Sequence, residues 1–269
     1  MNIRRVLAIA LRQYYLFAGS PVRFASLFVW VVIDMILWGF ITKYLNQVAQ
    51  PATSMNFVPL FLGAVLLWDY FNRVMMGVST PFLEDVWSRN FLNFFATPMR
   101  ISEYLTGFVI SSISTSLLAF IVMLLLAIPL FGLSLFSYGI LLIPFLVTLF
   151  LFGIALGISA TAMLLRLGPS SEWLIWPIPA ILSPLTGVFY PIATLPVPLQ
   201  YVSRILPPSY VFENMRAIIA GKAPSWTDLG IAIMLAAGFV LLACLLWRKV
   251  YLDAVESGLL ARYGAENVT

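Results

Sequence analysis

The sequence contains no histidine and only one cysteine among its 269 residues. Without histidine, the chain lacks the commonest general base, proton shuttle and metal ligand of proteins. A single thiol cannot form an internal disulfide or a zinc site. Cys244 lies in an apolar run, and we interpret it as a small apolar residue.

Charged residues are also scarce, at 10% of the chain, whereas 62% of the residues are hydrophobic and the mean hydropathy is +0.99. A soluble domain of this length carries about a quarter of its residues as charged side chains. Most of the surface must therefore face lipid or other membrane helices. The net charge of +4 is too small and too scattered for a nucleic-acid groove, so we expect no nucleic-acid partner.

The motifs of catalysis are missing as well. The sequence has no phosphate-binding loop, nucleophile elbow or His-Glu-x-x-His motif, and its three lysines follow no glycine-rich run. The absence of histidine and of any acidic cluster for a metal argues against a membrane-embedded enzyme such as a lipid transferase. We therefore expect no catalytic residue, no metal and no cofactor in this chain.

Six apolar runs approach or exceed the length of about 20 residues that a membrane-spanning helix needs. Helix is the expected structure because lipid cannot satisfy a bare backbone and the runs are too long and unbroken for barrel strands. Three prolines, Pro177, Pro179 and Pro184, are expected to bend the fifth span. The predicted spans are 24–41, 57–78, 104–131, 138–165, 173–190 and 229–247.

The basic residues predict the orientation of these spans. With six spans, both termini lie on one side of the membrane, together with eleven of the fifteen lysines and arginines. The other side receives four: Lys43, Arg204, Arg216 and Lys222. The positive-inside rule therefore predicts that both termini are cytoplasmic.

The N-terminal segment Asn2–Phe17 is predicted to be an amphipathic helix in the cytoplasmic interface. Its apolar residues recur at helical spacing, and Arg5 and Arg12, seven residues apart, mark one polar face. The alternative is a basic segment that only orients the protein.

A second non-spanning segment, Thr80–Ser102, is predicted to hold a short helix parallel to the membrane. Thr80 can cap this helix, and Pro81 suits its first position. Asp85 and Arg89 lie four residues apart and can pair. An apolar stripe follows the helical period through Leu83, Trp87, Phe91 and Phe94. The residues alone allow two readings, a membrane anchor or a docking element for a cytoplasmic partner.

The third segment, Pro191–Gly221, is predicted to be a helical hairpin that dips into the outer leaflet. Ser209 can cap its second helix, which Gly221 can close. That helix carries Glu213 and Arg216, three residues apart. A plain outer loop is the alternative. The segment is interrupted by prolines at Pro191, Pro196, Pro198, Pro207 and Pro208.

Three ionisable residues lie within the predicted spans. Asp34 is in the first span, and Asp69 and Arg73 lie four residues apart in the second. Charge is costly in lipid and usually faces the bundle interior or a water path. We interpret Asp69 and Arg73 as a structural pair. Asp34 can snorkel, pair with another span or face a conduit, and it is the best candidate ion site of a transporter driven by an ion gradient.

Together these features resemble the membrane (permease) subunit of a type-2 ABC exporter, a family of ATP-binding cassette transporters. The stretches 82–90 and 96–103 resemble the first cytoplasmic loop of that family, which carries a coupling helix. The stretches 190–196, 206–210 and 213–216 resemble its outer re-entrant hairpin. The N-terminal segment is similar to its elbow helix.

The resemblance implies a division of labour. ATP and magnesium would bind a separate nucleotide-binding subunit, and two permease subunits, identical or closely related, would form the conduit in a bacterial inner membrane. Contacts to the ATPase are implied at Glu84, Asp85, Trp87, Arg89 and Asn90. A hydrophobic, lipid-like or drug-like cargo ranks above a polysaccharide. An ion-driven transporter and a structural subunit that transports nothing are the alternatives.

The predicted architecture is thus an all-α integral membrane domain over residues 1–269. It divides into an interfacial helix (1–20), spans one and two (24–78), a coupling helix (80–98), spans three to five (104–190), an outer hairpin (191–221) and span six (229–250).

Overall fold

The computed structural model describes residues 1–49, 58–88, 90–95, 97–133 and 135–257. Within these ranges the chain is helical with no strand, which confirms the all-α prediction. The α-helices are α1 (Ile3–Ala18), α2 (Pro21–Ala49), α3 (Gly63–Trp87), α4 (Asn90–Phe95), α5 (Ile101–Phe131), α6 (Leu142–Leu167), α7 (Pro177–Thr186), α8 (Val197–Ile205), α9 (Pro207–Ile219) and α10 (Trp226–Glu256). A π-helix covers Val58–Leu62, and 3₁₀ helices cover Leu135–Leu141, Pro169–Leu174 and Ile192–Thr194.

Four helical segments in the described ranges are long and apolar enough to cross a membrane. They are Pro21–Val48, Ile101–Phe131, Tyr138–Leu167 and Trp226–Glu256. These segments correspond to predicted spans one, three, four and six. Local signals explain several of their ends: the Ser225 hydroxyl accepts a hydrogen bond from the Asp228 N–H at the start of α10, and Gly132 ends α5 with a φ of 66°.

The predicted helix start at Thr80 and Pro81 is wrong. Instead of ending near Val78, α3 continues through both residues to Trp87, so the loop helix is only the short α4. Pro81 removes one backbone donor, but Phe82 on its C-terminal side is fully buried. Packing against neighbouring helices therefore outweighs the local break signal of proline.

The predicted fifth span, 173–190, is not one helix. It consists of the end of the 3₁₀ helix Pro169–Leu174, then α7, and then a turn at Gly187, whose φ is 64°. At about 1.5 Å per residue, α7 is roughly half as long as the hydrocarbon core is thick. The six-span topology therefore stays a prediction for α3 and for this broken segment.

The centre of the bundle is α3, which packs against α5 and α6. Glycines on α6 allow the closest approach: a Cβ on Gly157 would lie 2.8 Å from the Met75 carbonyl oxygen, and one on Gly153 would lie 2.9 Å from Val74. On the other side, the Ser112 hydroxyl of α5 donates to the Val74 carbonyl at 2.9 Å. Small residues that let backbones approach are typical of packing between membrane helices.

Aromatic rings extend this packing toward α9 and α10. Phe71 of α3 stacks on Phe152 of α6 with ring centroids 5.6 Å apart, and Phe152 meets Phe239 of α10 edge to face at 5.2 Å. Trp68 lies 6.1 Å from Phe212 of α9. The core thus joins four helices through offset and edge-to-face contacts, the arrangements that aromatic pairs prefer.

We predict that Gly157→Ala destabilises the bundle. The added methyl group would meet a backbone oxygen that cannot rotate away, so we expect the free energy of unfolding in detergent to fall by about 1–3 kcal/mol. The control is Gly238→Ala on α10, where an added Cβ meets no heavy atom within 4 Å. Equal thermal unfolding midpoints for the two variants would contradict close α3–α6 packing.

Candidate functional site

Helix α1 is amphipathic, as the sequence predicts. Val6, Ile9 and Gln13 are buried, whereas Leu7 and Leu11 lie among its exposed apolar residues. Ile9 packs directly against Gly107 of α5, where an added Cβ would lie only 2.5 Å from the Cβ of Ile9. Helix α1 therefore lies directly on α5.

The arginines of α1 do not form the solvent-facing polar face that their spacing suggests. Arg5 donates to the Pro98 carbonyl and pairs with Glu103 at 3.4 Å. Glu103 also accepts the Asn2 N–H at 2.6 Å and the Arg100 N–H at 3.0 Å. One carboxylate thus joins the start of α1, the end of the loop and the start of α5.

Arg12 makes the second and more buried contact. Its guanidinium binds both carboxylate oxygens of Asp85, one of them at 2.8 Å, and Tyr104 donates to the same carboxylate at 2.7 Å. The Asp85 side chain is 1% exposed and that of Arg12 is 29% exposed. The hydrogen bond to Asp85 raises the pKa of Arg12 above its ordinary value. Arg12 also lies over the Phe94 ring, 5.0 Å from its centroid.

A third pair joins Arg23 of α2 to Glu84 of α3 at 3.1 Å, with side chains 35% and 32% exposed. The end of α3 and the start of α5 are therefore tied by three arginines to the first two helices. We call the three pairs, Arg5–Glu103, Arg12–Asp85 and Arg23–Glu84, the arginine clamp.

The clamp changes the interpretation of the loop residues. Asp85 is buried and binds Arg12, and its implied contact with an ATPase stays a prediction. Glu84 is partly exposed but paired with Arg23. Trp87 is 55% exposed, and Asn90 donates to the Ser88 hydroxyl at 3.2 Å. Arg89 lies outside the described residues.

The three ion pairs of the clamp were not predicted from the sequence, although a signal for them existed. Three acids of the loop region, Glu84, Asp85 and Glu103, share their predicted membrane side with the basic residues of α1 and α2. Charge balance alone could have suggested pairing between these segments. The partners could not be chosen, because the placement of α1 across α5 depends on tertiary contacts such as Ile9 on Gly107.

Inside the bundle, Arg73 and Asp69 form the predicted pair, with 2.7 Å between Nε and Oδ2. Arg73 also donates to the Leu27 carbonyl of α2. Asp34 of α2 lies within electrostatic reach of both members of this pair. Asp34 is partly exposed and forms no ion pair among the described residues, so its role stays a prediction.

The segment after α7 forms a pair of helices, as predicted. Pro196 precedes α8, and Pro207 and Pro208 begin α9. Ser209 is therefore not a helix cap: it lies in the first turn, and its hydroxyl donates to the Leu206 carbonyl. Gly221 does close the helix end, with a φ of 71°.

Glu213 and Arg216 fasten α9 to the preceding turn. Glu213 accepts the Ile192 N–H at 2.8 Å, directly after Pro191, and pairs with Arg216 at 2.9 Å. Arg216 also donates to the Gly187 carbonyl at 2.6 Å. We call this set of bonds the hairpin latch. Its position on the outer side of a membrane stays a prediction.

A family model for the ABC-2 type transporter membrane domain matches residues 6–220. The chain belongs to the ABC-2 type transporter family. The match begins within α1 and includes the hairpin latch and all of the arginine clamp except Arg5. No curated protein shows significant similarity to the sequence.

Membership of this family bears on three expectations from the sequence: the permease role, the ATPase partner and the ion-driven alternative. The ABC-2 membrane domain is a transmembrane permease and is not itself catalytic, and the family works with an ABC ATPase in general. The match gives no support to an ion-gradient-driven transporter.

We predict that Asp85→Asn destabilises this ABC permease by about 2–4 kcal/mol, because it leaves the largely buried Arg12 without a counter-charge. Thermal unfolding of the purified chain in detergent measures the loss.

The control is Glu84→Gln, which breaks a pair of similar length between half-exposed side chains and should cost at most about 1 kcal/mol. If both variants unfold at the same temperature, the burial of Asp85 does not decide the stability of the clamp.

Proposed function

We propose that this chain is the membrane half of an ATP-driven exporter in a bacterial inner membrane. Two permease subunits, identical or closely related, would form the conduit, and a separate subunit would bind ATP and magnesium. The observation that carries the proposal is the family match over residues 6–220. It covers the predicted interfacial helix, loop and hairpin in the order that an exporter requires.

The proposed orientation places the clamp in the cytoplasm. Arg5, Arg12 and Arg23 gather around the end of α3, and Arg166 and Arg248 lie near the ends of helices that run in the same direction. This concentration of basic residues supports cytoplasmic termini by the positive-inside rule. The hairpin latch would then face the outside.

The proposed docking element is the loop from Trp87 to Arg100, which includes α4. Among the described side chains of this loop, Trp87 is large, apolar and exposed, and exposed aromatic side chains are frequent anchors of protein interfaces. The arginine clamp supplies a firm base for the loop, because it ties both flanking helices to α1 and α2. Of the two readings open in the sequence, this favours docking of the ATPase over a plain membrane anchor.

We propose a hydrophobic, lipid-like or drug-like cargo. The ionisable side chains inside the described bundle are few, and two of them, Asp69 and Arg73, already neutralise each other. A path along such helices favours apolar molecules. A polysaccharide is the second candidate, since α2 exposes four aromatic rings, those of Phe24, Trp30, Phe40 and Tyr44, on which sugars could stack.

We predict that Trp87→Ala uncouples the transporter. Loss of the anchor should reduce transport per ATP hydrolysed about tenfold or more, as expected for truncation of a central interface side chain, while the unfolding temperature of the permease stays unchanged. The measurement is ATPase activity and cargo efflux in proteoliposomes that contain the whole complex.

The matched control for this variant is Trp226→Ala, which truncates an equally exposed tryptophan at the opposite end of the bundle. Normal coupling in Trp87→Ala, or an equal defect in both variants, would show that the loop serves only as an anchor.

Affinity purification of the tagged chain from its native membrane tests the assembly itself. We expect an ABC nucleotide-binding subunit in roughly equal amount to the permease. Cross-linking before solubilisation controls for dissociation in detergent. If neither preparation contains an ATPase, the proposed coupling is contradicted, and a structural subunit becomes the better description.

A further inference from the structure

A cavity of about 190 Å³ lies between α1, α2, α3 and α5, and two residues of the arginine clamp, Arg23 and Glu84, line it. Its wall combines charged and neutral polar side chains with apolar ones. The polar lining residues that matter here are Gln13, Arg23, Arg73, Glu84, Ser111 and Thr115. No predicted coupling or hairpin contact requires such a cavity.

Gln13 is the feature of this cavity that points to a ligand. Its side chain is 1% exposed, and within the described part of the chain its amide nitrogen finds no hydrogen-bond acceptor. Buried donors are normally paired, and an exception calls for an unseen partner. Since the nitrogen donates two N–H groups, the missing partner must offer an acceptor oxygen.

Two guanidinium groups lie in the same wall, and each is paired with a carboxylate: Arg23 with Glu84 and Arg73 with Asp69. The hydrogen bonds described for Arg23 and Arg73 leave N–H groups of each guanidinium for a further acceptor. Guanidinium groups bind phosphate oxygens strongly. The hydrogen-bond donors of this wall therefore fit a phosphate group.

The cavity continues into an apolar groove of about 310 Å³ between α1, α2 and α5. Four residues line both spaces: Phe17, Leu27, Ser111 and Thr115. Farther along, the groove is lined by the exposed side chains of Tyr14, Phe24 and Leu118. A polar end beside guanidinium groups and an apolar extension on a membrane-facing surface together match an amphiphile.

We propose that the cavity and groove bind one membrane phospholipid. Its phosphate would accept hydrogen bonds from Gln13, Arg23 and Arg73, and an acyl chain would lie along Phe17 and Leu27 toward Leu118. A free phosphate would leave the groove empty, and an uncharged lipid would leave the guanidinium donors unused. The lipid would join the interfacial helix to the bundle, and this role does not depend on the cargo or on the ATPase.

The test titrates the purified, delipidated full chain in detergent with phosphatidylglycerol. The readouts are the unfolding temperature and the bound lipid counted by native mass spectrometry. We expect one tightly retained lipid per chain. Gln13→Leu and Arg23→Gln should each weaken its binding about tenfold, the loss expected for one hydrogen bond to a charged group. Thr115→Leu, which fills the junction between cavity and groove, should weaken it as well.

The matched control is Arg166→Gln, an exposed arginine at the end of α6 that lines neither space and should leave binding unchanged. Three results would overturn the proposal. They are equal stabilisation by inorganic phosphate alone, equal stabilisation by diacylglycerol, and lipid retention that none of the cavity variants alters. A failed ATPase co-purification would leave this test untouched, so the two proposals fail separately.

Discussion

A charge that is removed from water needs a counter-charge, whether lipid or packed protein excludes the water, and this constraint shapes the polar contacts of the described structure. The Arg12–Asp85 pair is its clearest expression. Asp85 is buried by the surrounding helices, and Arg12 of α1 supplies the cation that it needs. The pairing draws α1 onto the ends of α3 and α5, where Tyr104 completes the carboxylate's hydrogen bonds. A sequence with 10% charged residues therefore uses its few charges to fix the placement of helices.

The same constraint applies to α3, which lies at the centre of the bundle and packs against α5 and α6. Its two central charges, Asp69 and Arg73, neutralise each other within one turn, so α3 can pack at the centre of the bundle. Its glycine-lined contact with α6 and its hydrogen bond from Ser112 leave little room for bending. The helix then continues unbroken through Pro81 to Trp87. A force applied at the exposed Trp87 would therefore move α3 as one rigid helix.

Composition and periodicity predicted what depends on local pattern: the all-α class, the long apolar helices, the amphipathic α1, the Asp69–Arg73 pair and the paired helices after α7. They failed where tertiary packing decides. Thr80 and Pro81 carry every local sign of a helix start, yet burial of Phe82 keeps α3 continuous. Periodicity also could not identify the distant partner of Asp85, which binds Arg12, seventy-three residues earlier. Sequence patterns report on neighbours in the chain, whereas these features depend on neighbours in space.

Helix α3 contacts the arginine clamp at its C-terminal end and α9 near its N-terminal end, and this suggests how movement at one end reaches the other. Trp68, near the N-terminal end of the helix, contacts Phe212 of α9. One residue later, Glu213 fastens α9 to the turn after α7 through the hairpin latch. A displacement of α3 that starts at the arginine clamp would therefore reach the hairpin latch by two routes: directly through the contact of Trp68 with Phe212, and indirectly through α6, which packs against both α3 and α9.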